Sequence, residues 1–174
     1  MLFSGNRITH RSNSKATIVS TPTPEARLAE LGLTLPEVRP PAGTFVHAVQ
    51  SRGMLYLGGH IPMRADGGVV QGKLGAELDA DAGYEAAKLA ALLALATIRN
   101  EVGTLDRVRR IVKVLGVVNA VPEFMQHTQV INGASDLFVA VFGDAGQHGR
   151  LAVGVSSLPY NIALEIEVTV KVGE

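Results

Sequence analysis

Arg150, Glu165 and Glu167 stand at the ends of an apolar stretch, GRLAVGVSSLPYNIALEIEVTV, which runs from Gly149 to Val170 and reads as a hairpin. A guanidinium binds a carboxylate through two parallel hydrogen bonds, a geometry lysine cannot reproduce. Strand alternation puts Arg150 on the face it shares with Ala152 and Gly154. A cation above such small side chains describes a recess for a small organic acid. The competing reading is a surface arginine in an ion pair, with Glu165 as one possible partner. Glu165 opens the last strand; beside Arg150 in a water-poor cleft it would orient or deprotonate a water. Glu167 lies in phase with it and fits the solvated role equally well.

The other reactive side chains say less. His10, His47, His60, His127 and His148 show no metal-ligand spacing, and ordinary polar roles are expected of them. His47 and His60 can approach across a hairpin, and His60 falls nearest the expected pocket. The absence of cysteine excludes disulfides and thiolate catalysis, and fits a cytoplasmic protein. Sixteen basic residues balance 16 acidic ones, so no global field is available to hold a phosphate backbone. The basic run of Arg107, Arg109, Arg110 and Lys113 reads as a solvated strand entry rather than a nucleic-acid patch. No apolar run approaches the ~18 residues needed to cross a bilayer.

The elements that must position these groups follow from periodicity and punctuation. Residues 1–22, basic and rich in Ser and Thr, read as a flexible arm, and 23–174 as one domain. Thr23 can cap a short helix that Pro24 opens and Gly32 stops. Thr44 to Pro62 holds two strands joined at SRG, with a further short strand at Val69 to Gln71. Residues 80–102 form the clearest helix, with Leu89, Leu92, Leu93 and Ala96 as its stripe, Asp79 or Asp81 as its cap and Gly103 as its end. A strand spans Arg107 to Ala120, a second helix Pro122 to Phe142, and final strands Leu151 to Ser157 and Ala163 to Val172. This order predicts an α+β fold: a mixed sheet of five or six strands with two long helices on one face. Val112, Val114, Gly116 and Val118 alternate with Ile111, Leu115 and Val117, so the sheet is apolar on both sides. The uncovered face calls for another copy of the chain, and sites there would be built by two protomers.

RLAVGVSSLP followed by YNIALEIE resembles the C-terminal signature of the RidA (YjgF-like, endoribonuclease L-PSP) family. GGHIP at Gly58 to Pro62 resembles the same family's SGQIP segment. The match runs from about residue 40 to the end, with Arg150, Pro159 and Glu165 at the family's spacing. The resemblance implies a chorismate-mutase-like fold and a homotrimer with clefts between subunits. It also implies hydrolysis of small 2-imino or enamino acids to 2-keto acids and ammonia, without metal or cofactor. Arg150 would then hold the substrate carboxylate and Glu165 would serve the water. Phe45, Gly58, Gly59, His60, Ala152 and Pro159 would line the site. Phe45 stands where the family usually has Tyr, Gly58 where it has Ser, and His60 where it has Gln. Two alternatives stand beside the deaminase: a non-catalytic trimeric binder of small acids, and a ribonuclease or translation inhibitor. The sequence offers the last neither paired-histidine acid–base spacing nor an aromatic stacking ladder.

Overall fold

The computed structural model describes residues 21–173; most of the expected N-terminal arm lies outside the described residues. After a short helix α1 (Pro24–Glu30), the chain runs β1 (Ala48–Ser51), β2 (Met54–Leu57), α2 (Ala80–Val102), β3 (Val108–Asn119), α3 (His127–Phe142), β4 (Gly149–Val155) and β5 (Leu164–Val172). These strands form one sheet in the order β1-β2-β5-β3-β4, and both long helices lie on one face. β3 and β4 are parallel, joined by the α3 crossover; every other pairing is antiparallel. β4 and β5 therefore do not form the hairpin their sequence suggests. β3 lies between them and pairs with both.

Local chemistry accounts for the element boundaries. The Thr23 hydroxyl accepts the Ala26 N–H, and the Asp79 carboxylate accepts that of Ala82, satisfying helix-terminal donors. β1 and β2 turn on Arg52 and Gly53, both at positive φ (49° and 73°), the type I′ geometry that matches strand twist. Glu25 of α1 clamps the far end of α2. It accepts Arg99 Nε at 3.0 Å and Nη2 at 2.5 Å, and the Leu105 N–H at 2.9 Å.

Three expectations change. The buried stripe of α2 is alanine, not leucine: Ala86, Ala87, Ala90, Ala91 and Ala94 are enclosed with Leu95 and Ile98. Leu89, Leu92 and Leu93 are only partly buried and lie on its flank. The small residues let α2 and α3 approach so closely that a Cβ at Gly133 would overlap the Tyr84 carbonyl oxygen. Next, α3 begins at His127 rather than Pro122. The Val121 N–H donates to the Leu74 carbonyl at 3.0 Å, holding the preceding segment against the sheet. Phe124 enters the core from a turn, not from the helix. Last, Val69 to Gln71 makes only isolated bridges, Met63 to Val69 and Gln71 to Ile162, instead of a strand.

The sheet has one buried and one open face. Leu164, Ile166, Val168, Val170 and Val172 of β5 all face the helices. In β3 an irregularity between Ile111 and Lys113 brings Ile111 into phase with Val114, Gly116 and Val118. Val112 is expelled from that row to the surface, contrary to simple alternation. The open face carries cross-strand rows: Val49, Tyr56, Thr169 and Lys113; Glu167, Leu115 and Leu151; Glu165, Val117 and Val153. Val49, Tyr56, Val112 and Leu151 are each more than a third exposed, leaving an apolar surface uncovered in the single chain.

Candidate functional site

β2 leaves the sheet at Leu57, and residues 58–62 run alongside β5 with only one bridge, between His60 and Ile166. The His60 N–H donates to the Ile166 carbonyl at 2.8 Å, and the Ile166 N–H returns a bond to the His60 carbonyl at 2.9 Å. His60 shares the parity of Ile166, so its ring turns towards the helices and is 1 % exposed. Its Nδ1 lies 2.8 Å from the Gly58 carbonyl oxygen and its Nε2 2.8 Å from Thr97 Oγ1. A carbonyl only accepts, which assigns the proton to Nδ1 and leaves Nε2 to accept the threonine hydroxyl. The ring is a neutral pin between α2 and the segment that follows β2.

Burial, opposed by the Gly58 bond and aided by the nearby His47, lowers the His60 pKa from 6.5 to about 4. The unfolded chain thus binds the proton more tightly than the native one. Stability is full above pH 6.5 and falls as pH drops from 6.5 towards 4. A loss of roughly 3 kcal/mol is expected over that window and should be absent from His60→Gln, as urea titrations at pH 7 and pH 4 will show.

Glu165 reaches the same region from the open face. Its carboxyl lies over Gly59, where a Cβ would displace it from this position. Glu165 is partly buried, and burial alone raises its proton affinity. Together they border a cleft of about 320 Å³. The cleft is walled by Ile61, Val69, Leu93 and Thr97 and covered by the proline-containing segment Val38 to Ala42. Phe45 stands at the mouth, 58 % exposed, with its ring edge-on to His47 at 6.3 Å between centroids. His47 lies 6.1 Å from His60, as expected across the hairpin, and donates from Nε2 to the Arg39 carbonyl at 2.7 Å.

Arg150 lies elsewhere. It pairs with Val114 on the helix-facing side of β4, whereas Glu165 pairs with Val117 on the opposite face. One Arg150 nitrogen, Nη1, donates to Asn132 Oδ1 at 2.8 Å and Ser135 Oγ at 3.0 Å, both on α3. Ser135 also meets His148 Nε2 at 3.1 Å, and His148 Nδ1 donates to the Gly146 carbonyl at 2.6 Å. The small floor beside Arg150 has a packing reason: Ala152 packs on the core, and Gly154 makes room for the His127 ring. A separate recess of about 310 Å³ opens at Gly154 and His127, but Arg150 and Ala152 do not border it. Pro159 opens an exposed turn and does not border the cleft. The fold therefore gathers Phe45, Gly59, His60 and Glu165, with Gly58 adjoining, and holds Arg150, Ala152 and Pro159 apart.

Sequence reasoning missed the covering segment and Thr97. The paired prolines at 40 and 41 mark a stiff connector, but nothing in their spacing says what it covers. Among the described residues no group of three or more His, Cys, Asp or Glu is arranged to hold a metal ion, and no helix is long and apolar enough to cross a membrane.

A family profile described as "YjgF/chorismate mutase-like, putative endoribonuclease" matches residues 25–169. Protein TCP17 of Trypanosoma cruzi is 39 % identical over 155 residues, covering 88 % of this chain and 97 % of that protein. Among solved structures, Atu1372 from Agrobacterium tumefaciens, titled as of unknown function, is 40 % identical. It covers 87 % of this chain and 94 % of its own, with a TM-score of 0.80. A "putative endoribonuclease" from Shewanella oneidensis is 33 % identical, with a TM-score of 0.83 over 86 % of this chain and 99 % of its own. RidA from an Antarctic Psychrobacter shares the fold at 20 % identity and a TM-score of 0.53, covering 79 % and 94 % of the two chains.

Proposed function

The chain belongs to the YjgF/chorismate mutase-like family, and from that premise we propose that it hydrolyses small 2-imino or enamino acids in clefts shared between copies of itself. The observation that carries this reading is the half-buried Glu165 carboxyl. Among the described residues no cation forms an ion pair with it in its cleft of about 320 Å³, which Arg39 also borders, while the guanidinium at the family's spacing lies on the opposite sheet face. A second copy is the economical way to join them. The open sheet face, apolar at Val49, Tyr56, Val112 and Leu151, supplies the surface, and each chain carries both halves of the site, so a closed ring completes every cleft. A trimeric ring is the form the family resemblance favours.

In such a cleft, Arg150 of the partner subunit holds the substrate carboxylate, and the polarised imine carbon faces Glu165. Water attacks that carbon as Glu165 takes its proton, giving a carbinolamine. Glu165 passes that proton to the nitrogen, then carries the hydroxyl proton of the carbinolamine to the same nitrogen as the carbonyl forms and the carbon–nitrogen bond breaks, so that ammonia leaves a 2-keto acid. Ala152 of the partner subunit offers its carbonyl oxygen to the same water, and Pro159 of the partner subunit closes the far side. Burial suits Glu165 to this work, because a raised proton affinity makes it a stronger base.

The test is direct. 2-Iminopropionate, generated in place by an amino acid oxidase, should decay to pyruvate faster with catalytic amounts of the protein. Identical decay with and without protein would overturn the reading.

One observation favours a second reading, a non-catalytic acid binder. Phe45 and Gly58 remove two hydroxyls from the cleft that the family usually has. Space for one of them exists, because a Cβ at Gly58 would meet nothing nearer than the carbonyl oxygens of Val46 and His47 at 3.8–3.9 Å. Phe45→Tyr with Gly58→Ser should raise kcat/KM about 10-fold if the chain is an enzyme. Tighter keto-acid binding without turnover would mark the binder. Ribonuclease chemistry draws little from the geometry. Both nitrogens of His60 are engaged internally, so the His47–His60 pair has no second free ring for acid–base work on RNA.

A further inference from the structure

We propose that Arg39, carried on the segment that covers the cleft, grips a second carboxylate, so that the preferred substrates are 2-imino dicarboxylic acids. The proposal rests on the reading of the cleft given above, and it concerns the end of the ligand remote from the reacting carbon.

Arg39 borders two cavities. One is the cleft of Glu165; the other, of about 350 Å³, lies beyond the covering segment against Leu89 and Leu92. Its guanidinium lies against Gly67, which also borders both. Nη1 makes a single long bond, 3.4 Å, to the Gly67 carbonyl. No carboxylate lies within ion-pair distance: among the described residues the ion pairs are Lys88–Glu85 and Arg99–Glu25. An arginine carries five N–H donors, so most of this fork is unused by the protein.

The fork is nevertheless seated. Gly67 adopts φ +82°, a conformation that favours glycine, and a Cβ there would displace the guanidinium from its present place. The Arg39 backbone is held from the other side, its carbonyl accepting His47 Nε2–H at 2.7 Å. Pro40 and Pro41 follow and restrict the chain further. Glu165 does not neutralise Arg39, since burial is the whole cause of its altered proton affinity. Between the two groups the walls are apolar, formed by Phe45, Ile61, Val69 and Leu93. A ligand that spans them needs a hydrocarbon middle and polar ends. A planar carboxylate is the natural partner for a fork with several free donors. Arg39 is exposed at the edge of the cleft, so an apolar side chain gains no bond from a guanidinium already met by water, whereas a carboxylate does.

The test uses full-length protein and calorimetry with two stable keto acids of similar length, 2-oxoglutarate and 4-methyl-2-oxopentanoate. The wild type should bind 2-oxoglutarate at least ~10-fold tighter. Arg39→Gln should cost roughly 10-fold or more for 2-oxoglutarate and leave 4-methyl-2-oxopentanoate within about threefold. Arg39→Lys should recover part of the loss, since it returns the charge without the fork. Equal affinities in the wild type, no binding of 2-oxoglutarate, or an Arg39→Gln loss shared equally by both acids would overturn the proposal. Imine turnover is measured in parallel. Selective binding without turnover would sink the hydrolytic step and leave Arg39 assigned, whereas turnover with no dicarboxylate preference would do the reverse.

Discussion

Glu165→Gln should lower kcat for 2-imino acid hydrolysis by at least ~100-fold while the protein stays folded. Gln keeps the volume and one acceptor oxygen but cannot take a proton from water. The side chain fits its seat over Gly59 in either form, so a loss of activity cannot be put down to a lost contact. Stability should move the other way. Burial raises the proton affinity of Glu165, so the native state binds that proton more tightly than the unfolded chain does. As pH rises through the window between the ordinary carboxylate pKa and the raised one, native stability declines. At pH 7 the buried carboxylate is therefore a burden, and Glu165→Gln should melt no lower than the wild type. Activity has the opposite slope: it needs the carboxylate, and kcat should fall as pH drops through the raised pKa. Thermal melts and a kcat–pH profile on the same preparations check both. A variant that loses activity and melting temperature together would instead make Glu165 a structural residue.

The separation of stability from activity reflects how this site is assembled. Gly59 leaves a space that the Glu165 carboxyl occupies, and His60, one residue on, is fixed by bonds at both ring nitrogens. Adjacent residues thus do different work: one clears room for a group the fold would rather protonate, the next locks the backbone that carries it. A neutral imidazole with one donor and one acceptor nitrogen meets the Gly58 carbonyl and the Thr97 hydroxyl at once, which gives His60 a structural role here.

Much of the frame is legible from punctuation. Asp79 and Gly103 bracket α2 at the boundaries expected of them, and the Arg52-Gly53 turn follows from SRG between apolar runs. The site was legible only in part, for reasons of parity and connectivity. Spacing identifies Arg150 and Glu165 but not their faces. The two strands do not pair with each other; each pairs with β3, where Val114 meets Arg150 and Val117 meets Glu165. Three residues along a strand reverse the face, so the two side chains diverge. The bulge that expels Val112 shows the same limit, because one extra residue in a ladder changes the phase of everything before it. Helix α2 was misread differently. Its leucines advertise a core stripe, but the close crossing with α3 at Gly133 demands alanine, and the leucines instead face the segment that covers the cleft.

The opposite placement of Arg150 and Glu165 leads to the second large effect. Arg150→Ala should reduce kcat/KM by about 10- to 100-fold, mainly through KM, since it removes a charged bond to the substrate carboxylate. The loss alone would not say which chain's arginine matters. Mixing does. If each cleft takes Glu165 from one copy and Arg150 from its neighbour, co-refolding Arg150→Ala with Glu165→Gln chains in equal amounts restores some clefts. An intact cleft forms wherever an Arg150→Ala chain presents its glutamate to the arginine of a Glu165→Gln chain. Random association makes that pairing roughly a quarter of all clefts, whatever the number of copies in the ring. Measured at substrate well below KM, activity near a quarter of wild type, from two variants that each fall to about a tenth or less on their own, would place the reaction between protomers. Activity no higher than the mean of the two variants would require both groups from one chain, an arrangement that the sheet, with β3 between its β4 and β5 strands, does not permit without unfolding its edge.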